Sequence, residues 1–283
     1  MLHDKVFGFA DYEGFIERLA STVVTTVPTL AEKQGNFQGI AHIYDPTTTV
    51  QNGTSYKRTQ FTNDIIPASR FDPVAAAIVA LYPAPQTSAL VNNYTSNPVK
   101  ATADNRADAR LDAQLNSKQN LFLRYSIDNT QLTMPNTYNN AIGGNESAFS
   151  GNNSTVAHNG VAGYTIVLRP TLIGEYRFGF SKYNSFLTAS PLTASVWGQI
   201  PGRQADNPFQ PSAPIISPSG YGGLGDSRSE PQVRLEHTFE NVGSISWTHG
   251  KHDTRFGTDV LHHNISELAG GARPEFLRPL QFR

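Results

Sequence analysis

Apolar and polar residues alternate with a period of two along several stretches of the chain. Between Asn105 and Thr130 the sequence reads NRADARLDAQLNSKQNLFLRYSIDNT. In its second half, leucine, tyrosine and isoleucine alternate with Arg124, Ser126 and Asp128. Such alternation is typical of a β-strand with two unlike faces. The polar interruption at residues 116–120 predicts a hairpin turn between two such strands.

The same pattern defines four strand-rich zones, at residues 5–15, 104–128, 160–183 and 232–265. Very short turns at 169–171 and 249–252 split the last two zones. Long polar connections join the zones, at residues 16–103, 129–159 and 184–231. Outer-membrane barrels have short turns on one side and long extracellular loops on the other. A soluble sandwich gives no reason for this asymmetry.

The first long connection contains one helix signal. Asp72 is a favoured N-cap, Pro73 suits the first helical position, and Pro83 stops an alanine-rich segment. We therefore expect a short helix packed on an extracellular loop.

The predicted strands have one apolar face, which suits either lipid or a soluble core. Small residues on this face would fill a core poorly: Ala107, Ala109, Ala113, Gly163 and Gly174. Aromatic residues expected towards the strand ends suit a membrane interface: Tyr125, Tyr164, Phe180 and Trp247. The fold class predicted is an all-β, antiparallel up-and-down transmembrane barrel. A soluble all-β ligand-binding or adhesion module is the alternative.

Charged residues fix the orientation of the predicted wall, because an arginine facing lipid at the bilayer midplane costs roughly 2–4 kcal/mol. The polar residues that should face the lumen are Asp108, Arg110, Asp112, Arg124, Glu175, Arg177, Arg255 and Asp259. Four residues break the pattern. Phe122, Ile173 and Leu261 fall on the polar face, and His237 falls on the apolar one.

Composition excludes several classes of protein. The chain has 22 basic and 23 acidic residues, which argues against a nucleic-acid partner. It has no cysteine, which excludes disulfides, thiolate metal sites and cysteine nucleophiles. The longest apolar run, Val74 to Leu81, is far short of the ~20 residues of a membrane-crossing helix.

No motif indicates an enzyme. The G-x-G-x-x-G match at 220–225 follows Pro218 and Ser219 instead of a strand, so a loop is expected. His249 and His252 fit a tight turn better than a metal site, and His262 and His263 should point to opposite faces. We expect no catalytic residue, cofactor or metal.

Many segments, in order, resemble the Oar-like group of TonB-dependent outer-membrane transporters of acidobacterial type. The early ones are KVFGFADYEGF, TTVPTLAEKQGNFQG, IYDPTT, IPASRFDPVAAAIVALYPAPQ and NNYTSNP. The later ones are DARLDAQLNSKQNLFLRYS, RPTLIGEYRFGFSKYN, SGYGGLGD and SISWTHGKHDTRFGTDV. The resemblance covers essentially the whole chain.

The resemblance implies a barrel of roughly 22 strands with a plug in its lumen. It also implies uptake of a bulky solute, energised by the TonB complex of the inner membrane. Its expected partners are that complex, outer-membrane lipid and an unidentified solute. Because no signal peptide, TonB box or plug is visible before Lys5, we expect residues 1–283 to be a partial barrel domain.

Overall fold

Seven long strands form one antiparallel sheet in which each strand pairs with the next along the chain, apart from one large insertion after the first. The computed structural model describes residues 5–138, 151–189, 199–200, 215–225 and 231–268. The long strands are β1 (Val6–Ala20), β6 (Val99–Asn116), β7 (Gln119–Met134), β8 (Gly151–Arg169), β9 (Leu172–Ala189), β10 (Gln232–His249) and β11 (His252–Leu268). Within the described residues, β1 and β11 are the two edges of this up-and-down sheet.

Three two-residue turns lie at one end of the sheet, and the long connections lie at the other. The turns between β6 and β7, β8 and β9, and β10 and β11 coincide with the predicted ones. The long connections run from residue 21 to 98, from 135 to 150 and from 190 to 231. The predicted asymmetry of turns and loops is confirmed.

The strands continue further towards the loops than the alternation predicted. They contain 15 to 19 residues, whereas a membrane-crossing strand needs only about 9–11. The additional residues are largely polar, such as Thr130, Gln131 and Thr133 in β7. These strands are therefore longer than a bilayer crossing would require, and the additional residues lie on the loop side.

The first long connection folds into a compact insertion. It contains β2 (Val23–Thr25), α1 (Leu30–Lys33), β3 (Val50–Asn52), β4 (Ser55–Lys57), α2 (Pro73–Ala80) and β5 (Tyr94–Ser96). β2 pairs with β5, and β3 pairs with β4. The predicted helix is α2, and the Asp72 carboxylate accepts a hydrogen bond from the Ala75 amide at 2.9 Å. Short 3-10 turns lie at Pro46–Thr48, Thr62–Asp64 and Ala68–Arg70.

All three long connections contribute to one hydrophobic core. Its buried members are Val27, Tyr82, Tyr94, Tyr138 and Leu224. The Tyr138 ring makes edge-on contacts with Tyr82 at 5.9 Å and with Tyr94 at 5.6 Å between centroids. We call residues 21–98, 135–138 and 215–225 the loop cap. Neither helix of the loop cap has the length and apolarity that crossing a membrane requires, and the other described residues form no such helix.

Candidate functional site

All eight predicted lumen-facing residues lie on one face of the sheet. The cross-strand register pairs Arg124 with Arg110, and pairs Val242 with both Arg177 and Asp259. We call this the polar face and its opposite the apolar face. Every acidic residue of the seven long strands lies on the polar face. The sequence alternation therefore sorts the charges as predicted, while their lumenal orientation stays a prediction.

A first charged cluster lies on β6 and β7. The Arg110 guanidinium donates to both oxygens of Asp112 at 2.8 Å. Arg124 donates to Asp108 at 2.9 Å, and the Ser126 hydroxyl donates to the same oxygen. These pairs hold two arginines along the polar face with their carboxylates satisfied.

A second charged cluster lies on β9, β10 and β11. Arg255 donates to Glu175 at 2.7 Å and to the Ser244 hydroxyl at 2.9 Å. Arg177 and Asp259 lie beside it, one on each side of Val242. The intervening strand β8 presents only uncharged residues to this face, among them Thr165, Val161 and Asn159. The polar face therefore has two charged clusters on either side of an uncharged strip.

Phe122, an exception to the alternation, has a specific place on the polar face. Its ring lies directly over Gly163, where an added Cβ would be 2.1 Å from the ring. The Arg110 guanidinium lies over the ring at 4.7 Å from its centroid, in cation–π geometry. The assignment of Gly163 to the apolar face was wrong, because this glycine provides the space that Phe122 occupies.

The aromatic residues of the apolar face are distributed less neatly than expected. Tyr125, Tyr164, Phe180 and Trp247 all lie on this face. Tyr125 and Phe180, however, lie near the middle of β7 and β9 instead of near their ends. The reason is that the strands extend beyond the predicted zones. Ile173 and Leu261 lie on the polar face without a specific contact that explains them.

A cavity of about 680 Å³ lies where the loop cap meets the sheet. Leu19, Lys100 and Met134 contribute to it from the polar face of β1, β6 and β7. The loop cap contributes the other wall, including Thr25, Thr26, Asn92 and residues 220–223. Sequence reasoning missed this cavity, because no local pattern shows that segments so distant in the chain meet.

The GYGGLG segment, residues 220–225, forms part of this wall. The Gly222 amide donates to the Thr26 carbonyl at 2.8 Å, and the Gly222 carbonyl accepts from the Tyr82 hydroxyl at 2.7 Å. An added Cβ on Gly222 would be 2.3 Å from the Tyr138 hydroxyl, so only glycine fits there. The segment is a loop, as predicted, and Gly222 allows its close packing against the loop cap.

Hydrogen bonds and ion pairs fix the rest of the loop cap. The Tyr221 hydroxyl donates to Glu32 at 2.6 Å, and burial together with this bond raises the pKa of Tyr221 to about 12. Two hydrogen bonds of 2.8 Å from Arg70 hold the pKa of Asp45 well below its usual range. Burial lowers the pKa of Lys33, whose ammonium contacts the Tyr82 and Pro83 carbonyls.

No group of three or more metal-ligating side chains gathers among the described residues. His249 and His252 face each other across the last turn, and His249 stacks on Trp247 at 5.3 Å. His262 and His263 pair with Phe239 and Thr238, so they point to opposite faces as expected.

Comparison with known protein families identifies the membrane to which this sheet belongs. The family model described as outer membrane beta barrel domain matches residues 1–274. The chain belongs to this family. Its location is therefore the outer membrane, and its sheet is a barrel wall. This location favours the predicted transmembrane barrel over the alternative, a soluble ligand-binding or adhesion module. No curated protein and no solved structure matches the chain.

Membership of the outer membrane beta barrel domain family predicts a role for each face. The outside of such a barrel carries an apolar band, and its interior is polar. The apolar face, without any acidic residue on the seven long strands, then lies against lipid. The same rule predicts that the two charged clusters and the cavity beneath the loop cap face the lumen.

Proposed function

We propose that the chain contributes the wall and loops of a TonB-dependent transporter that takes up a bulky solute across the outer membrane. The cavity between the loop cap and the polar face is the observation that carries this proposal. A ligand entering from outside would reach it before the charged clusters deeper in the lumen. The sequence resemblance to Oar-like transporters supports energised uptake over passive diffusion.

The dimensions and chemistry of the cavity suit a polar solute. Its volume of about 680 Å³ falls in the range of ligand sites, roughly 300–1,000 Å³. Its surroundings mix apolar side chains with the Lys100 ammonium, the Asn92 amide and threonine hydroxyls. The role proposed for these residues is binding, with no catalytic step.

Beneath the cavity, the charged clusters would guide the solute along the lumen. Because each arginine of the clusters named above, except Arg177, is paired with a carboxylate, the wall offers both donors and acceptors. The inner-membrane TonB complex would supply the energy for inward passage. These partners and the direction of movement are parts of the proposal.

Uptake by cells producing the full protein tests the proposal. Culture medium components are compared by mass spectrometry between producing and deletion strains, with and without a protonophore. We expect one class of solute to accumulate at least tenfold more with the protein, and only in energised cells. Lys100→Glu should reduce that accumulation, since it reverses a charge in the cavity.

Lys57→Glu is the matched control, because Lys57 lies on the exposed strand β4 away from the cavity. It should leave accumulation unchanged. Uptake that continues in de-energised cells would contradict TonB dependence. Equal loss in the Lys57 and Lys100 variants would contradict a solute site in the cavity.

A further inference from the structure

A row of basic side chains crosses the apolar face. Lys182 on β9 is directly opposite His158 on β8 and His237 on β10. Neighbouring strands lie about 4.8 Å apart, so these three side chains project side by side. His237, which breaks the sequence alternation, therefore belongs to a group. We call His158, Lys182 and His237 the basic row.

The basic row lies at the height of a membrane surface. Lys182 is the tenth residue after Leu172, which begins β9 next to a short turn. At roughly 3.3 Å per residue and a tilt of about 40°, this places Lys182 about 25 Å from the turns. The apolar band of an outer-membrane barrel has about that height. The row is therefore at the headgroup level of the outer leaflet.

An apolar groove of about 860 Å³ begins immediately below the basic row. Small residues of the apolar face form its floor, among them Ala10, Ala109, Gly160 and Ala162. Its walls are the rings of Tyr125, Phe178, Phe180 and Phe239. Gly160, Phe180 and Phe239 each lie two positions along their strands from a member of the basic row. The row and the groove are therefore continuous.

A hydrogen bond to His158 leaves a donor of the basic row available to an anion. The Tyr125 hydroxyl lies 2.6 Å from Nδ1 of His158. When that hydroxyl donates to Nδ1, the proton of the neutral ring is on Nε2, which remains a donor. On the seven long strands this face has no acidic side chain that would compete with an incoming anion.

We propose that the basic row and the apolar groove bind one anionic, phosphate-bearing lipid of the outer leaflet. The phosphate would contact Lys182 and the flanking imidazoles, and one acyl chain would lie in the groove. Lipid chains gain little hydrophobic free energy by moving from bilayer to groove. Selectivity would therefore come from the charge of the headgroup, and orientation from the shape of the groove.

Native mass spectrometry of the full protein in detergent measures this binding. The protein is titrated with dioleoyl phosphatidylglycerol, with zwitterionic dioleoyl phosphatidylcholine and, separately, with inorganic phosphate. We expect one phosphatidylglycerol to bind preferentially. A surface lysine adds roughly 1 kcal/mol to binding of an anionic membrane, so Lys182→Gln should weaken this binding about fivefold. The double variant Lys182→Gln/His237→Asn should weaken it further, and Lys182→Arg should retain it.

The double variant Arg234→Gln/His263→Asn is the matched control, because it removes one permanent positive charge and one imidazole from the polar face. It should bind phosphatidylglycerol like the unaltered protein. Gly160→Leu tests the groove, since the new side chain would extend between Tyr125 and Phe180. We expect weaker lipid binding in this variant. The heat-dependent electrophoretic mobility of each variant reports whether the barrel is folded.

Three results would overturn the proposal. Equal binding of the two lipids would show that the row does not select an anion. Equal loss in the control double variant would show that position on the apolar face is irrelevant. Competition by inorganic phosphate, with undiminished lipid binding by Gly160→Leu, would indicate a free-anion site instead of a lipid site.

Discussion

The sheet and the loop cap hold their apolar residues in different ways. Five of the buried hydrophobic residues of the described chain form the core of the loop cap. On the sheet, large residues such as Leu123, Phe178 and Phe256 remain exposed in the isolated chain. The cap therefore buries its own apolar side chains, as a small water-soluble domain does. The apolar side chains of the sheet are instead covered by the surrounding lipid.

This difference indicates that the environment of the chain changes from the turn end of the sheet to the loop end. Near the turns, each strand has one apolar and one polar face, as expected between lipid and an aqueous lumen. Near the loops, both faces of the extended strands are polar, as Gln131 and Thr130 illustrate in β7. Beyond that level, connections pack on one another, and a conventional core forms. The two regions should therefore respond differently to the same kind of substitution.

The largest expected effect is loss of the cap core. Tyr138→Ala removes a buried ring that contacts two other tyrosines. Such truncations cost about 3–5 kcal/mol. Hydrogen exchange of the protein in lipid nanodiscs should show this loss as faster exchange at Val27 and Tyr94, with slow exchange retained in the sheet.

Tyr176→Ala is the matched control, because Tyr176 is exposed on the apolar face. It should leave exchange in the cap unchanged. Faster exchange throughout the sheet in Tyr138→Ala would mean that cap and sheet unfold together, and the comparison between them would fail.

Period-two alternation predicted the sheet because its signal is local. Leu121, Leu123, Tyr125 and Ile127 reveal their common face without knowledge of any other strand. The Asp72–Pro73 start of α2 is equally local. The charged residues of the candidate site could be found for the same reason, since their face follows from parity.

The cap core and the cavity could not be predicted in this way. Val27, Tyr94, Tyr138 and Leu224 come from three connections and share no periodic spacing. Their proximity depends on strand order and register, which place the loop ends together. The basic row was hidden for a related reason. His237 breaks the alternation within its strand, and its neighbours His158 and Lys182 become visible only from the pairing.

A smaller effect should distinguish the two faces of the sheet. Leu123→Arg places a charge on the apolar face near the centre of its band. In phospholipid vesicles this should lower the free energy of unfolding by roughly 2–4 kcal/mol. Thr165→Arg, in the uncharged strip of the polar face, is the control and should change it little. Equal costs for both substitutions would contradict the assignment of the apolar face to lipid.

The smallest effect concerns the pH dependence of the cap. Because Arg70 lowers the pKa of folded Asp45, the ion pair stabilises the cap above the unfolded pKa, about 3.9. This stabilisation is lost as the pH falls below that value towards the folded pKa. Normalised exchange of residues 45–71 should accelerate from pH 6 to pH 3, and Arg70→Gln should reduce this pH dependence. Arg58→Gln, which removes a bond to the Thr49 hydroxyl, should preserve it. Unchanged pH dependence in Arg70→Gln would show that Asp45 does not control cap stability.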